Sequence, residues 1–382
     1  MFFVAYVIVA LACAAITIKT LVGYSTVSRV NKITISLLIL FSWLSPLIFG
    51  WLKHLPLMNS KLYSVLSFVG YATFGFFFLV FILLLMRDVV WYAIYGIAKS
   101  MGFDSWSLNP KNISVLSFAN RIVLLMALFL TGCALHEGTK FPEFNEIDIT
   151  HKDLRNNYRV IQLSDLHIDR STPVSKIYKL VETTNNLGAD AIFLTGDIID
   201  DDLGSISEQL EALKHLQAPL GVYVSIGNHE LYNGLNTWLY KYEQMGFKVL
   251  LNKGVRLADD LYVGGVPDAF TANSNPQLNV NFMKTLDGSE RDQYRILLSH
   301  NPELVNSISA FNFQLMLSGH THGGQIFPFH IFVKKANEYL SGDYMVNGIH
   351  LHVSNGVGTW GPTMRLFAPS EITIINLLKK TN

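Results

Sequence analysis

The chain has 382 residues, of which 50% are hydrophobic and 15% charged, and its formal net charge is zero. This length favours more than one domain, and without a basic stripe we expect no nucleic-acid partner. The two cysteines, Cys13 and Cys133, are too few for a disulfide framework or a structural zinc site.

Long apolar runs fill the chain up to residue 136, and we interpret this part as a transmembrane module. Four of these runs reach the roughly 20 residues that a helix needs to cross a bilayer. The predicted helical spans are 2–23, 33–52, 62–86 and 115–135. The module is therefore expected to contact the lipid bilayer directly.

Polar and aromatic residues near the ends of these runs predict where the membrane interfaces lie. Asn120 and Arg121 are expected near an interface, because an arginine at mid-bilayer is costly. Trp91, Tyr92 and Tyr95 follow the third span and predict a segment along the interface, where amphipathic aromatics are favoured.

Four spans place both termini on one side of the membrane. The connections after spans one and three carry more basic residues than the connection after span two, although basic residues after the last span act in the opposite direction. The positive-inside rule therefore favours a non-cytoplasmic location for both termini. The predicted spans contain no acidic residue, which favours an anchor over a transporter with an ion or proton route.

The remainder of the chain alternates strand and helix patterns, as a soluble α/β domain does. Residues 137–157 are polar and are predicted to be a linker or a peripheral hairpin. Strands are then predicted at 158–163, 191–196, 221–226, 294–298, 313–317, 349–353 and 371–377, with helices at 174–187 and 205–216. The run 191–200 is typical of a buried strand that delivers an acid to its carboxyl end.

Potential metal ligands follow five of these strands in succession. They are Asp165, His167, Asp197, Asp200, Asn228, His229, His300, His320 and His322. One histidine at a strand end is more often structural than a ligand, but five strand ends in succession make coincidence a poor explanation. Carboxylate, imidazole and amide groups together suit borderline divalent metals.

The same residues form motifs that resemble the calcineurin-like metallophosphoesterase superfamily, over roughly residues 158–378. The motifs are Asp165-x-His167, Gly196-Asp197-x-x-Asp200, Gly227-Asn228-His229-Glu230, Ser299-His300 and Gly319-His320-x-His322. Residues 353–362 resemble the membrane-anchored branch related to UDP-2,3-diacylglucosamine hydrolases. The resemblance implies an α/β metallophosphoesterase domain, an αββα four-layer sandwich, after the four-helix transmembrane module.

The resemblance also implies a dinuclear centre with two divalent metal ions, Mn, Fe, Zn or Mg. One ion would be held by Asp165, His167, Asp197 and His322, and the other by Asp197, Asn228, His300 and His320. Asp197 would bridge the ions, together with a hydroxide that acts as the nucleophile. Two such cations would acidify the shared water and neutralise the phosphoryl oxygens.

Two further residues are predicted to be catalytic. His229 would protonate the leaving oxygen as general acid or steady the developing charge, and Asp200 would hold a ligand histidine in its correct tautomer. His330, His350 and His352 lie outside the motifs and are interpreted as structural. Arg365 is interpreted as a surface or ion-pair residue, with a phosphate contact as the alternative.

The expected function is the hydrolysis of a phosphodiester or pyrophosphate at the membrane. Proximity to the bilayer and the resemblance favour a lipid-linked substrate such as a UDP-sugar lipid pyrophosphate, with a soluble phosphodiester or nucleotide as the alternative. A second class of function is a catalytically silent membrane sensor or scaffold that retains the fold. Such a protein would be expected to lose ligands, and the sequence retains them all.

Overall fold

The computed structural model describes residues 2–25, 27–53, 60–103, 109–110, 112–269 and 278–380. The chain falls into two compact units. The helical unit comprises Met1–Thr139 and Gly361–Met364, and the α/β unit comprises Lys140–Trp360 and Arg365–Asn382.

Long apolar helices build the helical unit. They are α1 (Phe2–Ile18), which continues as a π-helical turn (Lys19–Gly23), α2 (Arg29–Leu52), α3 (Ser60–Ser100) and α4 (Ile113–Thr139). Within the described ranges, these four helices are long and apolar enough to cross a membrane. The prediction of four membrane helices is confirmed.

Helix α3 differs from the predicted span, which ended at residue 86. The charged pair Arg87 and Asp88 ends the apolar run, but no proline follows and the helix continues to Ser100. Trp91, Tyr92 and Tyr95 therefore belong to α3, and their position along the interface stays a prediction. Helix α3 has 41 residues. At a rise of 1.5 Å per residue, it is longer than the roughly 30 Å thickness of a hydrocarbon core.

Polar side chains of the helical unit bond to one another near these charges. Asn120 accepts a hydrogen bond from Arg87 and donates one to the main-chain oxygen of Thr20 at 3.0 Å. Arg87 also pairs with Asp88 at 2.6 Å. These contacts join α1, α3 and α4 through groups that would be costly if left unsatisfied in an apolar environment.

Two six-stranded sheets form the centre of the α/β unit. The first has the order β1 (Glu143–His151), β12 (Glu371–Lys379), β2 (Tyr158–Leu163), β3 (Ala191–Thr195), β4 (Gly221–Ser225) and β5 (Lys248–Val249). The second has the order β10 (Gly342–Val346), β11 (Ile349–Val353), β9 (Leu315–Ser318), β8 (Tyr294–Leu298), β7 (Leu261–Gly265) and β6 (Lys253–Ala258). Strands β2 to β5 pair in parallel in the first sheet, and β7, β8, β9 and β11 do so in the second.

Helices connect the strands, and several of them pack on the sheets in a layered apolar core. The helices are α5 (Val174–Asn186), α6 (Ser207–Leu213), α7 (Asn228–Tyr232), α8 (Leu235–Gln244), α9 (Phe282–Thr285) and α10 (His330–Asn337). One core layer packs Leu180 and Trp238 against the first sheet, and a second packs Phe193 against Ile296 of the other sheet. A third contains Met316 and Val305. The predicted α/β fold with two sheets between helical layers is confirmed.

The segment 137–157 is not simply a linker, because it contains strand β1. This strand pairs in parallel with β12 over all nine of its residues. Along it, Asn145, Ile147 and Ile149 are the better-covered residues and alternate with more exposed neighbours. An edge strand with one polar face resembles a linker in sequence, since only its inward residues carry the strand signal.

Candidate metal centre

Five parallel strands direct the predicted ligands to one place. Strands β2, β3 and β4 are neighbours in the first sheet, and β8 and β9 are neighbours in the second. Each is followed within two or three residues by a ligand of the predicted set: Asp165, Asp197, Asn228, His300 and His320. The carboxyl ends of parallel strands share a sheet edge, which is why residues far apart in sequence meet here.

The first cluster consists of Asp165, His167 and His322. The Nε2 atoms of the two histidines lie 2.9 Å apart, and His322 Nε2 lies 3.4 Å from Asp165 Oδ1. The other nitrogen of His167, Nδ1, donates to Asp200 Oδ1 at 2.9 Å. Because Nδ1 carries the proton, Nε2 of His167 presents its lone pair to the cluster.

The second cluster consists of Asp197, His300 and His320. His300 Nε2 lies 3.1 Å from Asp197 Oδ2 and 3.3 Å from His320 Nδ1. His300 Nδ1 donates to the main-chain oxygen of Thr195 at 2.8 Å, which leaves Nε2 for the cluster. Two imidazoles and a carboxylate thus converge, as ligands of a divalent metal do.

Asp197 lies between the two clusters. Its Oδ2 atom is 3.1 Å from His300 Nε2, 3.9 Å from His167 Nε2 and 3.8 Å from His229 Nε2. Asp197, His167 and His229 form a third candidate group of metal ligands. His229 is therefore close enough to be a ligand, although the sequence predicted it as an acid.

Asn228 supports a bound cation at this place. Its side-chain oxygen Oδ1 is buried and, among the described residues, accepts no hydrogen bond. A buried amide oxygen without a partner is costly. Because Asn228 is a predicted ligand, a bound metal ion would be that partner. The donor set of the two clusters and this oxygen together fit divalent metal ions.

Glycines allow the loops to approach as closely as this site requires. A Cβ atom at Gly227 would lie 2.1 Å from Asp197 Oδ1, and one at Gly319 would lie 2.2 Å from Asp165 Oδ2. No side chain fits at these separations, so the glycines of the motifs are steric requirements of the site.

The ligand-bearing loops have unusual backbone geometry. Asp165, His167, Asp197, His320 and His322 all have positive φ, between 47° and 73°. This region is uncommon for residues other than glycine, and such strain clusters at functional sites. The segments after β2, β3 and β9 therefore turn sharply at these residues.

Asp200 joins two histidines of the site. In addition to its contact with His167, its Oδ1 atom lies 2.5 Å from His229 Nδ1. Burial lowers the pKa of His229, but the carboxylates of Asp200 and Asp197 outweigh it and raise this pKa to about 9. His229 is thus held protonated beside the ligands, with Nε2 directed towards Asp197.

Two other histidines of the site have a lowered pKa, in contrast to His229. Burial and the nearby His300 lower the pKa of His320 to about 3, and burial and His167 lower the pKa of His322. Both imidazoles are neutral at pH 7 as a result. Metal ligation requires the neutral form, so the electrostatics of the site favour their role as ligands.

Comparison with known proteins identifies the family. The model of calcineurin-like phosphoesterases matches residues 158–324. An uncharacterized metallophosphoesterase of Campylobacter jejuni is 31% identical over 264 residues, which cover 68% of this chain and 69% of the relative. One of Helicobacter pylori is 32% identical over 288 residues, covering 75% and 76%. The chain belongs to the calcineurin-like phosphoesterase family.

One relative, from a fish, is named as a transmembrane protein. The transmembrane protein with metallophosphoesterase domain of Danio rerio is 28% identical over 270 residues, which cover 67% of this chain and 62% of that protein. The chain is thus a metal-dependent phosphate ester hydrolase, and its apolar helices associate it with a membrane.

The phosphoesterase site has aromatic neighbours that the motifs do not include. The ring of Tyr232 lies 5.4 Å and that of Trp360 6.3 Å from the ring of His229, centroid to centroid. Both side chains are more than half exposed. Gln325 fixes the backbone of Trp360 through hydrogen bonds of 2.9 and 3.0 Å. Tyr232 lies one helical turn after His229 on α7, so its contact was open to sequence reasoning, whereas Trp360 comes from a distant loop for which the sequence offered no signal.

Arg365 corrects one interpretation from the sequence. It is neither a surface residue nor placed to contact a substrate, because its side chain is 0% exposed and donates to main-chain oxygens. The histidines outside the motifs make local contacts: His350 and His352 both bond to Asp343, and His330 stacks on Phe327.

Proposed function

We propose that this phosphoesterase holds two divalent metal ions and hydrolyses a phosphodiester or pyrophosphate, with a lipid-linked substrate at the membrane. The observation that carries the proposal is the position of Asp197 between two converging sets of ligands. Asp165, His167, Asp197 and His322 would hold one ion, and Asp197, Asn228, His300 and His320 the other. When bound, Mn, Fe, Zn or Mg ions would acidify a shared water and neutralise phosphoryl oxygens.

Side chains of the protein would then protonate the leaving group. His229 is held protonated by Asp200 and Asp197, so it can donate a proton to the leaving oxygen as that oxygen gains charge. Asp200 fixes the orientation of both His167 and His229. This shared carboxylate would keep the ligand and the acid in register during turnover.

The four apolar helices support the proposal that the substrate itself resides in the bilayer. We propose that residues 1–136 act as the anchor and residues 158–378 as the catalytic domain, on the non-cytoplasmic side. A reporter fused after residue 382 tests this orientation. Reporter activity confined to the cytoplasm would refute the proposed side.

The test of the chemistry uses the full chain in detergent. Wild type with Mn²⁺ should hydrolyse bis-p-nitrophenyl phosphate, and Asp197→Asn should remove the activity. Asp259→Asn, at an exposed carboxylate, is the matched control and should leave the rate unchanged. Equal activity of wild type and Asp197→Asn would reject the proposed enzyme. Metal analysis of the same preparations and a panel of lipid-linked and nucleotide phosphates would then identify the ions and the substrate class.

A further inference from the structure

Glu230 is a buried carboxylate directly beneath the bridging position. Its side chain is 0% exposed. Oε2 accepts hydrogen bonds from the main-chain N–H groups of Asp197, at 3.1 Å, and Gly227, at 2.8 Å. Oε1 accepts from the N–H of Ile198 at 2.7 Å and from the hydroxyl of Tyr242 at 3.1 Å.

These contacts tie two ligand loops to a single side chain. Asp197 and Ile198 follow β3, whereas Gly227 follows β4 and directly precedes the ligand Asn228. The N–H of His229 in turn donates to Asp197 Oδ1 at 2.9 Å. Glu230 therefore fixes the backbone on both sides of the bridging carboxylate without touching the metal cluster itself.

Arg365 is a buried cation beneath the other half of the site. Its guanidinium donates to the main-chain oxygens of Asn355, at 2.7 Å, Gly358, at 2.6 Å, and Ala368, at 2.9 Å. Nη1 lies 3.4 Å from the main-chain oxygen of His322, and Nη2 lies 3.4 Å from Nδ1 of its ring.

The loop under Arg365 is also bonded to the first ligand strand. The N–H of Gly358 donates to the oxygen of Asp165, and the N–H of Val357 to that of Ser164, each at 2.8 Å. A Cβ atom at Gly356 would lie only 2.7 Å from Cβ of Asp165. Arg365 thus supports Asp165 through this loop and His322 directly.

We propose that Glu230 and Arg365 are positioning residues that set the two halves of the metal centre through the main chain. Glu230 fixes Asp197 and Asn228, and Arg365 fixes Asp165 and His322. The inference rests on the proposed dinuclear site. It assigns to two charged residues a role that neither metal ligation nor contact with substrate explains.

The chemistry of the two side chains suits this role. A buried charge is costly unless hydrogen bonds replace its water, and here those bonds come from the loops that carry the ligands. Displacing a ligand loop therefore also strips partners from a buried charge. A guanidinium presents five donors in a fixed plane, so it can bind several carbonyls that the compact ammonium of a lysine cannot reach together.

The test measures metal binding by metal-free full chain in detergent, with Mn²⁺ titrated and the bound ions counted by elemental analysis. Arg365→Met should weaken one of two ions by about 10- to 100-fold, the range found when residues supporting metal ligands are changed, and leave the other near wild type. Arg365→Lys should not restore it. Glu230→Gln should weaken both ions, because Asp197 belongs to both proposed ligand sets. The spin coupling between two Mn²⁺ ions should disappear in the electron paramagnetic resonance spectrum of Arg365→Met.

Matched controls separate this role from general folding. Glu208→Gln changes an exposed acid in the first turn of a helix, and Arg256→Met changes an exposed arginine; both should bind two ions as wild type does. Tyr242→Phe removes one partner of Glu230 and should weaken binding less than Glu230→Gln. If Glu230→Gln or Arg365→Met fails to fold, Tyr242→Phe and Arg365→Lys carry the test, with the melting temperature of metal-free protein as the check.

The outcomes for the two proposals are distinct. Wild type that binds no metal ion and hydrolyses no ester would refute the proposed function. If wild type binds two ions and the folded Arg365 and Glu230 variants bind them equally well, the positioning role alone is refuted.

Discussion

The helical unit and the α/β unit differ in how their buried polar side chains are arranged. In the helical unit, a polar side chain such as Ser45 returns its hydrogen bonds to helix carbonyls, of Ser42 at 2.8 Å and Gly70 at 3.1 Å. In the α/β unit, carboxylates and imidazoles are gathered at strand ends on strained backbone. One unit removes polarity from an apolar interior, and the other concentrates it, so substitutions should have their largest effects at the strand ends.

The largest effect is expected for Gly227→Ala, which tests how tightly the strand ends are packed. The new methyl group would overlap Asp197 Oδ1 and lie 2.6 Å from its main-chain nitrogen, so the Asp197 carboxylate must move. We expect esterase activity to fall at least about 10²-fold, as misplacement of a catalytic group by about 1 Å does. Gly204 lies in a loop of the same unit where, among the described residues, Asp202 Oδ1 alone would come near the new Cβ, at 3.3 Å, so Gly204→Ala should retain activity. Comparable rates for the two variants would contradict the steric account.

The next effect concerns the leaving group. His229→Ala should slow hydrolysis of an alkyl phosphodiester by about 10²–10⁴-fold, because the departing alkoxide requires a proton. Hydrolysis of the p-nitrophenyl ester should slow much less, since nitrophenolate leaves without one. The ratio of the two rate constants is the measurement. An equal loss on both esters would favour His229 as a metal ligand, consistent with its place in a candidate ligand group.

A smaller effect is expected from the ion pair of His352 and Asp343, which lies outside the candidate metal centre. Burial lowers the pKa of His352, but contacts with Asp343 and Glu371 outweigh it and raise this pKa to about 9. His350 also faces Asp343. The stabilisation is therefore fully present below pH 6.5, the unfolded value, and is lost as pH rises through about 9. Between these limits the contribution of His352 to the unfolding free energy should fall by about 3 kcal/mol.

Denaturant unfolding of metal-free protein at pH 6 and pH 9.5 measures this loss. His352→Gln should flatten the dependence on pH in this window, and His215→Gln, at an exposed histidine, should not. A wild-type difference that persists unchanged in His352→Gln would show that other groups cause it.

The smallest effect is expected in the helical unit. A Cβ atom at Gly138 would lie 2.7 Å from the main-chain oxygen of Thr363 and 2.8 Å from the nitrogen of Met364. Gly138→Ala should therefore destabilise this unit by about 1–3 kcal/mol, as overpacking does. Gly132 lies on the same helix, and a Cβ atom there would have no described residue within 4 Å, so Gly132→Ala should leave the melting temperature unchanged or slightly raised. Equal melting temperatures would mean that Gly138 has no such packing role.

Much of the candidate site follows from local patterns. Apolar runs that end in Gly-Asp or Gly-Asn-His mark both a strand and the ligand at its end, which is why the strands before Asp197 and Asn228 were predicted nearly to their observed bounds. Strand β1 was missed because its partner β12 lies far along the chain, and α3 was cut short because charge ends an apolar run without ending a helix.

Residue patterns alone predicted the types and order of the candidate ligands, the four apolar helices and the alternation of strands and helices. These depend on residue chemistry and on periods of a few residues, which a single chain displays. The positions of Glu230 beneath Asp197 and of Arg365 against the loops of Asp165 and His322 became known only from the folded structure. A charged side chain finds its partners among main-chain atoms that every residue possesses, so its neighbours become known only when the loops are folded together.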